Sequence, residues 1–137
     1  MEVQIKHLSG AKFEAEARGH KITCDQPVSN GGRDEGMTPP ELLLAALGTC
    51  AAFYGVQYLK TRSLSTEGIE VSVSAEKALQ PARLASFRVE VTAPDLDAAH
   101  IAGLERAVKT CLIHNTLLHP PTIDLAIRSV SPATLKA

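Results

Sequence analysis

The sequence predicts an α+β domain with the element order β-β-β-α-β-β-α-β, and three observations support this prediction. Runs that alternate apolar and polar residues occur on both sides of a central segment, as in half-buried strands. The central segment is apolar for about 19 residues, which favours a buried helix. A later stretch carries its apolar residues on one helical face. Since no repeat or linker interrupts the chain, we expect a single domain over residues 1–137.

Three short strands are expected before the central helix. In the first of them Val3 and Ile5 alternate with polar residues, and turns are expected near Gly10 and Gly19. The strands lie at 2–8, 12–18 and 20–25. A polar, glycine-rich segment, "QPVSNGGRDEGM", then leads to the helix. At about twelve residues it is long for a connection within a compact domain, so it is a candidate functional loop.

The central helix begins with a recognisable N-terminal signal. Thr38 is followed by two prolines and then by Glu41, the pattern of a capping box with proline in the first turn. The helix is apolar on nearly every side as far as Gln57, so we expect protein around it. A helix of about 25 residues spans about 40 Å, whereas a domain of this size has a radius of gyration of about 14 Å. We therefore expect a homodimer in which the partner subunit covers part of the helix.

The second half of the chain predicts a hairpin, a helix and a closing strand. Two alternating runs flank a turn that contains Pro81. Asp95 is expected to cap the amphipathic helix, and the short helical turn after that helix stops at Pro120 and Pro121. The expected ranges are 68–77 and 85–93 for the hairpin, 96–110 for the helix, 111–119 for the turn and 122–130 for the closing strand.

Composition and charge argue against several classes of partner. The formal net charge is −1 and no basic stripe occurs, so we expect neither nucleic acid nor an anionic membrane surface as a partner. Gln57 interrupts the apolar run, and no second run of that length exists, so we expect no membrane span. The N-terminus lacks a signal-peptide pattern, and the three cysteines form no CxxC pair. We therefore expect a cytoplasmic protein with free thiols and without a structural zinc site.

The cysteines are the candidate catalytic residues. Cys50 lies within the central helix between small residues, which leave room for a second element or a substrate. Cys111 lies where a helical turn begins, and unpaired backbone N–H groups there lower the pKa of a thiol. Free cysteine is also a common small core residue, and the residues alone leave that simpler interpretation open for both thiols. Cys24 is expected to pack within the third strand.

His114 suggests a second kind of chemistry. It lies three residues after Cys111 and next to Asn115, which is reminiscent of a Cys/His/Asn hydrolase. Such enzymes, however, take their histidine from a distant part of the chain. We therefore rank a thiol hydrolase below the other hypotheses and expect Asn115 to act as a capping group.

Two motifs resemble those of the OsmC/Ohr family, the osmotically inducible and organic hydroperoxide resistance proteins. They are "TPPELLLAALGTC", which ends at Cys50, and "CLIHNTLLHPP", which begins at Cys111 about sixty residues later. The likeness extends over essentially the whole chain, and the pattern P-x-E-L-L-L is most similar to the general OsmC-like branch. The resemblance implies an intertwined, domain-swapped homodimer with two sites at the subunit interface.

The resemblance also implies a chemistry. Members of the family reduce hydroperoxides, preferably organic ones, and the match makes Cys50 the peroxidatic cysteine and Cys111 the resolving cysteine. A Cys50 thiolate attacks the O–O bond and becomes a sulfenic acid, which Cys111 converts to a disulfide. An external dithiol or lipoyl-type reductant then reduces the disulfide, so the cycle uses no metal and no cofactor.

The family activates its peroxidatic cysteine with an arginine from the N-terminal strand region. Arg18 occupies the corresponding place, and Arg33 in the glycine-rich loop is the second candidate. Peroxidases of the family hold this arginine with a glutamate ten residues before the cysteine, where this chain has Pro40. Glu41 lies about 180° round the helix from Cys50, so we expect it to cap the helix instead.

One alternative function stays open. In it the protein is not a catalyst but binds a small acyl or lipid-like ligand in an apolar pocket at the dimer interface. The thiols would then only sense oxidation. The missing glutamate is a departure from the peroxidases of the family, whereas the matched pair of cysteines agrees with them.

Overall fold

The computed structural model describes residues 1–135 and confirms the α+β class. Residues 136–137 of the expected domain lie outside the described residues. Within residues 1–135 there are two small antiparallel sheets, three α-helices, a short 3-10 helix at Val28–Asn30 and a one-turn helix near the C-terminus. The strands are β1 (Gln4–Ser9), β2 (Lys12–Ala17), β3 (His20–Cys24), β4 (Glu70–Leu79) and β5 (Ala82–Thr92). The helices are α1 (Pro39–Thr61), α2 (Ala98–Lys109), α3 (Leu112–Leu118) and α4 (Pro132–Leu135).

The first sheet, β1 to β3, has one apolar face and one charged face. Ile5 pairs with Ala15, and Ala15 pairs with Ile22, so these three side chains share a face. On the opposite face Lys21 forms an ion pair with Glu14 at 3.2 Å. Ile5 and Ile22 are 61% and 50% exposed. The apolar face of this sheet is therefore uncovered within the described chain.

The capping box predicted at the start of α1 is present. Thr38 Oγ1 accepts a hydrogen bond from the Glu41 N–H at 3.4 Å, and the Glu41 carboxylate accepts one from the Thr38 N–H at 2.7 Å. Two interactions lower the pKa of Glu41: the hydrogen bond from the Thr38 backbone N–H, which is the larger, and the interaction with the Thr38 side chain. Glu41 is thus a capping residue, as the sequence predicts.

The core lies where the second half of α1 meets α2 and the β4–β5 hairpin. It is built on Tyr58 and Leu59 of α1 and on Leu104 of α2, each less than one-tenth exposed. Aliphatic side chains from the hairpin and from the segment before α2 pack against these three residues. The hairpin itself is confirmed, with β4 and β5 paired along their full length.

Helix α2 begins two residues later than the capping prediction places it. Its N-cap residue is Asp97, and no side-chain hydrogen bond caps the helix. Asp95, the predicted cap, instead occupies the preceding turn with a φ of 58°. Aspartate tolerates this left-handed conformation better than most residues, so Asp95 is a turn residue and the prediction of its role is wrong.

The strand predicted at 122–130 does not form. Residues 120–131 have no regular secondary structure, and Ile123, Leu125 and Ile127 are 88%, 86% and 89% exposed. A strand needs the N–H and C=O groups of a neighbouring strand, so alternation of apolar residues does not produce one without a partner. This segment therefore adds a second uncovered apolar surface to that of the first sheet.

Helix α1 is less buried in the single chain than its sequence predicts. It is the one helix within residues 1–135 that has the length and hydropathy of a membrane span, with a mean hydropathy of 1.6. Only 28% of that apolar stretch is buried inside the chain. Phe53, near the middle of the helix, is 58% exposed. Much of the apolar surface of α1 is therefore open in the single chain.

Candidate functional site

The structure brings Cys50 and Cys111 together. Cys50 lies near the middle of α1, and Cys111 lies between α2 and α3, both of which pack against α1. The two thiols lie close enough for Cys50 to affect the ionisation of Cys111, although about sixty residues separate them in the chain. Both thiols are free; Cys50 is half-buried, whereas Cys111 is 0% exposed. The site therefore pairs one partly accessible thiol with one inaccessible thiol.

Cys111 is held by backbone hydrogen bonds at the start of α3. Its Sγ accepts the His114 N–H at 3.4 Å, and its own N–H donates to the Val108 carbonyl at 3.1 Å. Burial and the hydrogen bond with Cys50 raise the pKa of the Cys111 thiol, and the N–H groups of His114 and Ile113 only partly offset them. Burial thus disfavours the thiolate form of Cys111.

His114 and Asn115 do not complete a hydrolase site. Within the described residues, His114 contacts the Cys111 sulfur through its backbone N–H, and no hydrogen bond joins its imidazole to the thiol. Asn115 uses backbone groups, since its carbonyl accepts the His119 N–H at 2.9 Å at the end of α3. Full burial of Cys111 also denies an ester access to the sulfur. The geometry therefore argues against a thiol hydrolase.

The two candidate arginines lie away from the thiols. Arg18 is exposed in the turn between β2 and β3, with a φ of 53°. Arg33 is exposed in the glycine-rich loop. In the part of the chain that the structure describes, neither side chain has an ion pair or hydrogen bond with Cys50 or Cys111. The expected contact between an arginine and Cys50 is therefore not made within the described chain.

The glycine-rich loop is built around Asp25, which sequence analysis did not single out. Asp25 is 1% exposed, and its carboxylate accepts the backbone N–H groups of Gln26, Arg33 and Glu35 at 2.7, 3.2 and 3.1 Å. Burial opposes ionisation, but the three hydrogen bonds outweigh it and lower the pKa of Asp25. An aspartate that directly follows a strand and precedes a glycine-rich turn is the signal that identifies such a residue.

An apolar groove of about 620 Å³ lies between β5 and α2. Its lining residues are Val89, Val91, Thr92, Ala93, Leu96, Ile101, Leu104, Glu105, Val108, Lys109 and His114. Val108 and His114 both form hydrogen bonds with Cys111, so one part of the groove adjoins the thiol pair. A concave, mainly apolar surface with a few polar groups is suited to an apolar ligand.

These features define an α+β protein with a two-thiol site, built by a long central helix and by the turn that follows a second helix. Among the residues that the structure describes, no group of three or more His, Cys, Asp or Glu side chains is arranged to hold a metal ion. The family model for OsmC-like proteins matches residues 32–126, which include both cysteines of the site. The chain belongs to the OsmC-like family.

Individual relatives agree with this assignment. Protein YhfA of Escherichia coli K12 is 31% identical over 106 residues, which cover 74% of this chain and 76% of the relative. The structure of an OsmC-like protein from Mycoplasma pneumoniae superposes with a TM-score of 0.72 at 17% identity and covers 87% of each chain. An organic hydroperoxide resistance protein OsmC from Legionella pneumophila gives a TM-score of 0.60 at 17% identity, covering 85% of this chain and 89% of that one. The two structures show a shared fold.

Proposed function

We propose that this protein is a thiol-dependent peroxidase that reduces organic hydroperoxides. The observation that carries the proposal is the contact between the Cys50 and Cys111 side chains, with one thiol partly accessible and the other buried. Structural relatives include proteins named for organic hydroperoxide resistance, from Legionella pneumophila among others. Thiol chemistry of this kind is expected in a reducing compartment, which for this chain we take to be the cytoplasm.

The proposed cycle has three steps. The Cys50 thiolate attacks the terminal oxygen of the hydroperoxide; the O–O bond breaks, the alcohol leaves with a proton, and Cys50 becomes a sulfenic acid. Cys111 then attacks the Cys50 sulfur, which forms a disulfide and releases water. An external dithiol or lipoyl-type reductant reduces the disulfide by exchange and is itself oxidised to a disulfide. No metal or bound cofactor takes part in the cycle.

Exposure assigns the order of the two thiols in this proposal. A peroxide can approach Cys50, which is half-buried, whereas Cys111 is closed to solvent. The Cys111 thiol is also held protonated by burial, which suits a group that acts second. A cation near Cys50 would stabilise its thiolate, and we assign this role to Arg18, with Arg33 as the second candidate.

We propose in addition that the protein is an intertwined homodimer. Three apolar surfaces support this: the open face of α1, the open face of the first sheet, and the alternating segment at 122–130. Large exposed apolar patches are rare on soluble monomers and often mark an interface. A first sheet that packs on the partner's α1 would cover both surfaces and would bring the partner's Arg18 to Cys50.

The apolar groove between β5 and α2 supports a second candidate function. In this alternative it binds a small acyl or lipid-like molecule, and the adjoining thiols only sense oxidation. The two candidates differ in what Cys50 does. A binding protein keeps its ligand affinity when the sulfur of Cys50 is replaced, whereas a peroxidase loses turnover.

The first prediction tests the cycle directly. With dithiothreitol present, the wild-type protein is expected to consume cumene hydroperoxide, followed by loss of the peroxide with time. Cys50→Ser should lower turnover by at least about a hundredfold, because a hydroxyl does not form the reactive thiolate. In the absence of dithiothreitol, Cys111→Ser should perform the first step once and accumulate the Cys50 sulfenic acid, which dimedone traps for mass spectrometry.

Cys24→Ser is the matched control, since Cys24 is a third free thiol on a separate sheet. It should retain wild-type turnover. After one equivalent of peroxide, the wild-type protein should contain an intramolecular Cys50–Cys111 disulfide. Negligible turnover by the wild type, with unchanged ligand affinity in Cys50→Ser, would instead support the binding alternative.

A further inference from the structure

A cleft that contains two arginines lies between the second half of α1 and α2. Its volume is about 430 Å³. The lining residues are Tyr54, Gln57, Tyr58, Thr61, Arg62, Gly103, Arg106, Ala107 and Thr110. This lining includes guanidinium, amide and hydroxyl groups but no carboxylate. Neither cysteine of the proposed site lines the cleft.

The two guanidinium groups have few partners: Arg62 Nη1 donates a hydrogen bond to Thr61 Oγ1 at 3.2 Å, and the charge of Arg106 contributes to the lowered pKa of Glu105. In residues 1–135, neither Arg62 nor Arg106 forms an ion pair with a carboxylate. Arg88 and Lys109, by contrast, are paired with glutamates at 2.8 and 2.7 Å. Two positive charges in the lining of one cleft attract an anion.

Electrostatics at the helix ends does not account for both arginines. Cations near helix C-termini are favourable, and α1 and α2 both end beside this cleft. Lys60 already supplies a cation in the last turn of α1, and the last turn of α2 holds Lys109 as well as Arg106. An arginine adds a planar fork of N–H donors that matches carboxylate and phosphate oxygens two at a time.

Arg62 is held in position by a fixed aromatic ring. Its Cζ atom lies 3.8 Å from the centroid of the Tyr58 ring. Tyr58 is 8% exposed, and its hydroxyl is hydrogen-bonded to His100 Nδ1 at 3.2 Å. Any side chain at Gly103 would overlap that hydroxyl, which explains the glycine. A guanidinium stacked in this way loses little conformational freedom when a ligand binds its free N–H groups.

We propose that this cleft is an oxyanion-binding site in which Arg62 and Arg106 hold the carboxylate or phosphate group of a small molecule. The Gln57 side-chain amide provides a neutral donor in the same lining. The Thr61 and Thr110 hydroxyls already donate to backbone carbonyls at 2.9 and 2.6 Å, so the guanidinium groups are the principal donors. The site does not use the thiols, so it stands independently of the proposed peroxidase activity.

An NMR titration of the full-length protein at constant ionic strength tests the proposal. The probes are phenyl phosphate and benzoate, with chloride as the reference anion. We expect saturable shifts in the amides that line the cleft with at least one oxyanion probe and none with chloride. Whichever probe binds more tightly identifies phosphate or carboxylate as the preferred group.

Arg106→Met should weaken that binding by roughly tenfold or more, and Arg106→Lys should restore only part of it.

Arg83→Met is the matched control. Arg83 is exposed at the β4–β5 turn and donates to the Pro81 carbonyl at 3.0 Å, so its replacement removes the same charge far from the cleft in sequence. It should leave the dissociation constant within about twofold, because bulk charge has only a screened effect. Equal weakening by both variants, saturation by chloride, or no saturable binding of either probe would overturn the proposal. Arg106 is preferred to Arg62 because it has no stacking role.

Discussion

The Cys111 thiol lies beside Cys50 at 0% exposure, and two opposing effects act on its ionisation. Burial and the neighbouring thiol disfavour the thiolate, whereas the N–H groups of His114 and Ile113 favour it. The pKa is raised, so burial is the larger effect. Disulfide formation uses the thiolate. The second step of the proposed cycle therefore depends on deprotonation of the Cys111 thiol, whose pKa is raised.

The disulfide-forming step should therefore accelerate as the pH rises. A raised pKa means that the thiolate fraction of Cys111 keeps increasing beyond the ordinary thiol pKa of roughly 8.5. Quenched-flow mass spectrometry after a single equivalent of peroxide, from about pH 7 to about pH 10, measures the rate of disulfide formation. Cys111→Ser isolates the first step over the same range. A rate of disulfide formation that does not change with pH would contradict the assignment of Cys111.

Helix α1 is the element that positions the site, and its first turn depends on the capping box. Thr38 and Glu41 satisfy each other's backbone N–H groups, which the helix leaves without an intrahelical partner. Because the pKa of Glu41 is lowered in the fold, the stabilising effect of its carboxylate is present above the ordinary glutamate pKa of roughly 4.3. That effect is lost as the pH falls through the lowered value.

Thr38→Ala should lower the free energy of unfolding by about 1 kcal/mol at neutral pH. Urea unfolding measures the change. The same variant should also show a weaker loss of stability on acidification, because Glu41 then has one bond fewer. Thr49→Ala is the matched control on α1, since the Thr49 hydroxyl donates to the Ala45 carbonyl inside the helix and caps nothing. An equal decrease in the free energy of unfolding for the two variants would mean that the Thr38 cap stabilises the protein no more than an internal hydroxyl does.

The whole molecule has more apolar surface than a single chain can bury. The first sheet, α1 and the segment at 122–130 each present exposed aliphatic side chains. Arg18 lies on the first sheet, whereas Cys50 lies on α1, and no contact joins the two side chains in the described chain. In the proposed homodimer, one subunit supplies the arginine and its partner supplies the thiols.

A complementation experiment tests this arrangement. Arg18→Ala and Cys50→Ser homodimers should both be inactive, but a heterodimer of the two has one complete site if Arg18 acts across the interface. Co-expression with two different affinity tags yields the heterodimer, and its peroxide consumption should recover to about half that of the wild type. No recovery in a heterodimer of confirmed mass would mean that Arg18 acts within its own subunit or not at all. Arg33→Ala in place of Arg18→Ala tests the second candidate.

Local patterns were sufficient for the elements that depend on local interactions. The capping box at Thr38 and the β4–β5 hairpin can be predicted from short stretches of sequence, because their residues interact with residues nearby in the chain. The α+β class and the family resemblance follow from the same patterns and from the two cysteine motifs. Asp25 escaped prediction because its role depends on a loop that folds back over ten residues.

Only the tertiary structure decided which distant groups meet. The sequence placed Cys50 and Cys111 in separate motifs, and their contact depends on how α3 packs against α1. The segment at 122–130 alternates as a strand does, but a strand forms only where a neighbouring edge supplies hydrogen bonds, and none is supplied here. The pairing of Arg62 with Arg106 likewise appears only when two helices lie side by side. Periodicity and capping act over one or two turns of chain, whereas contacts between elements are fixed by the packing of the whole molecule.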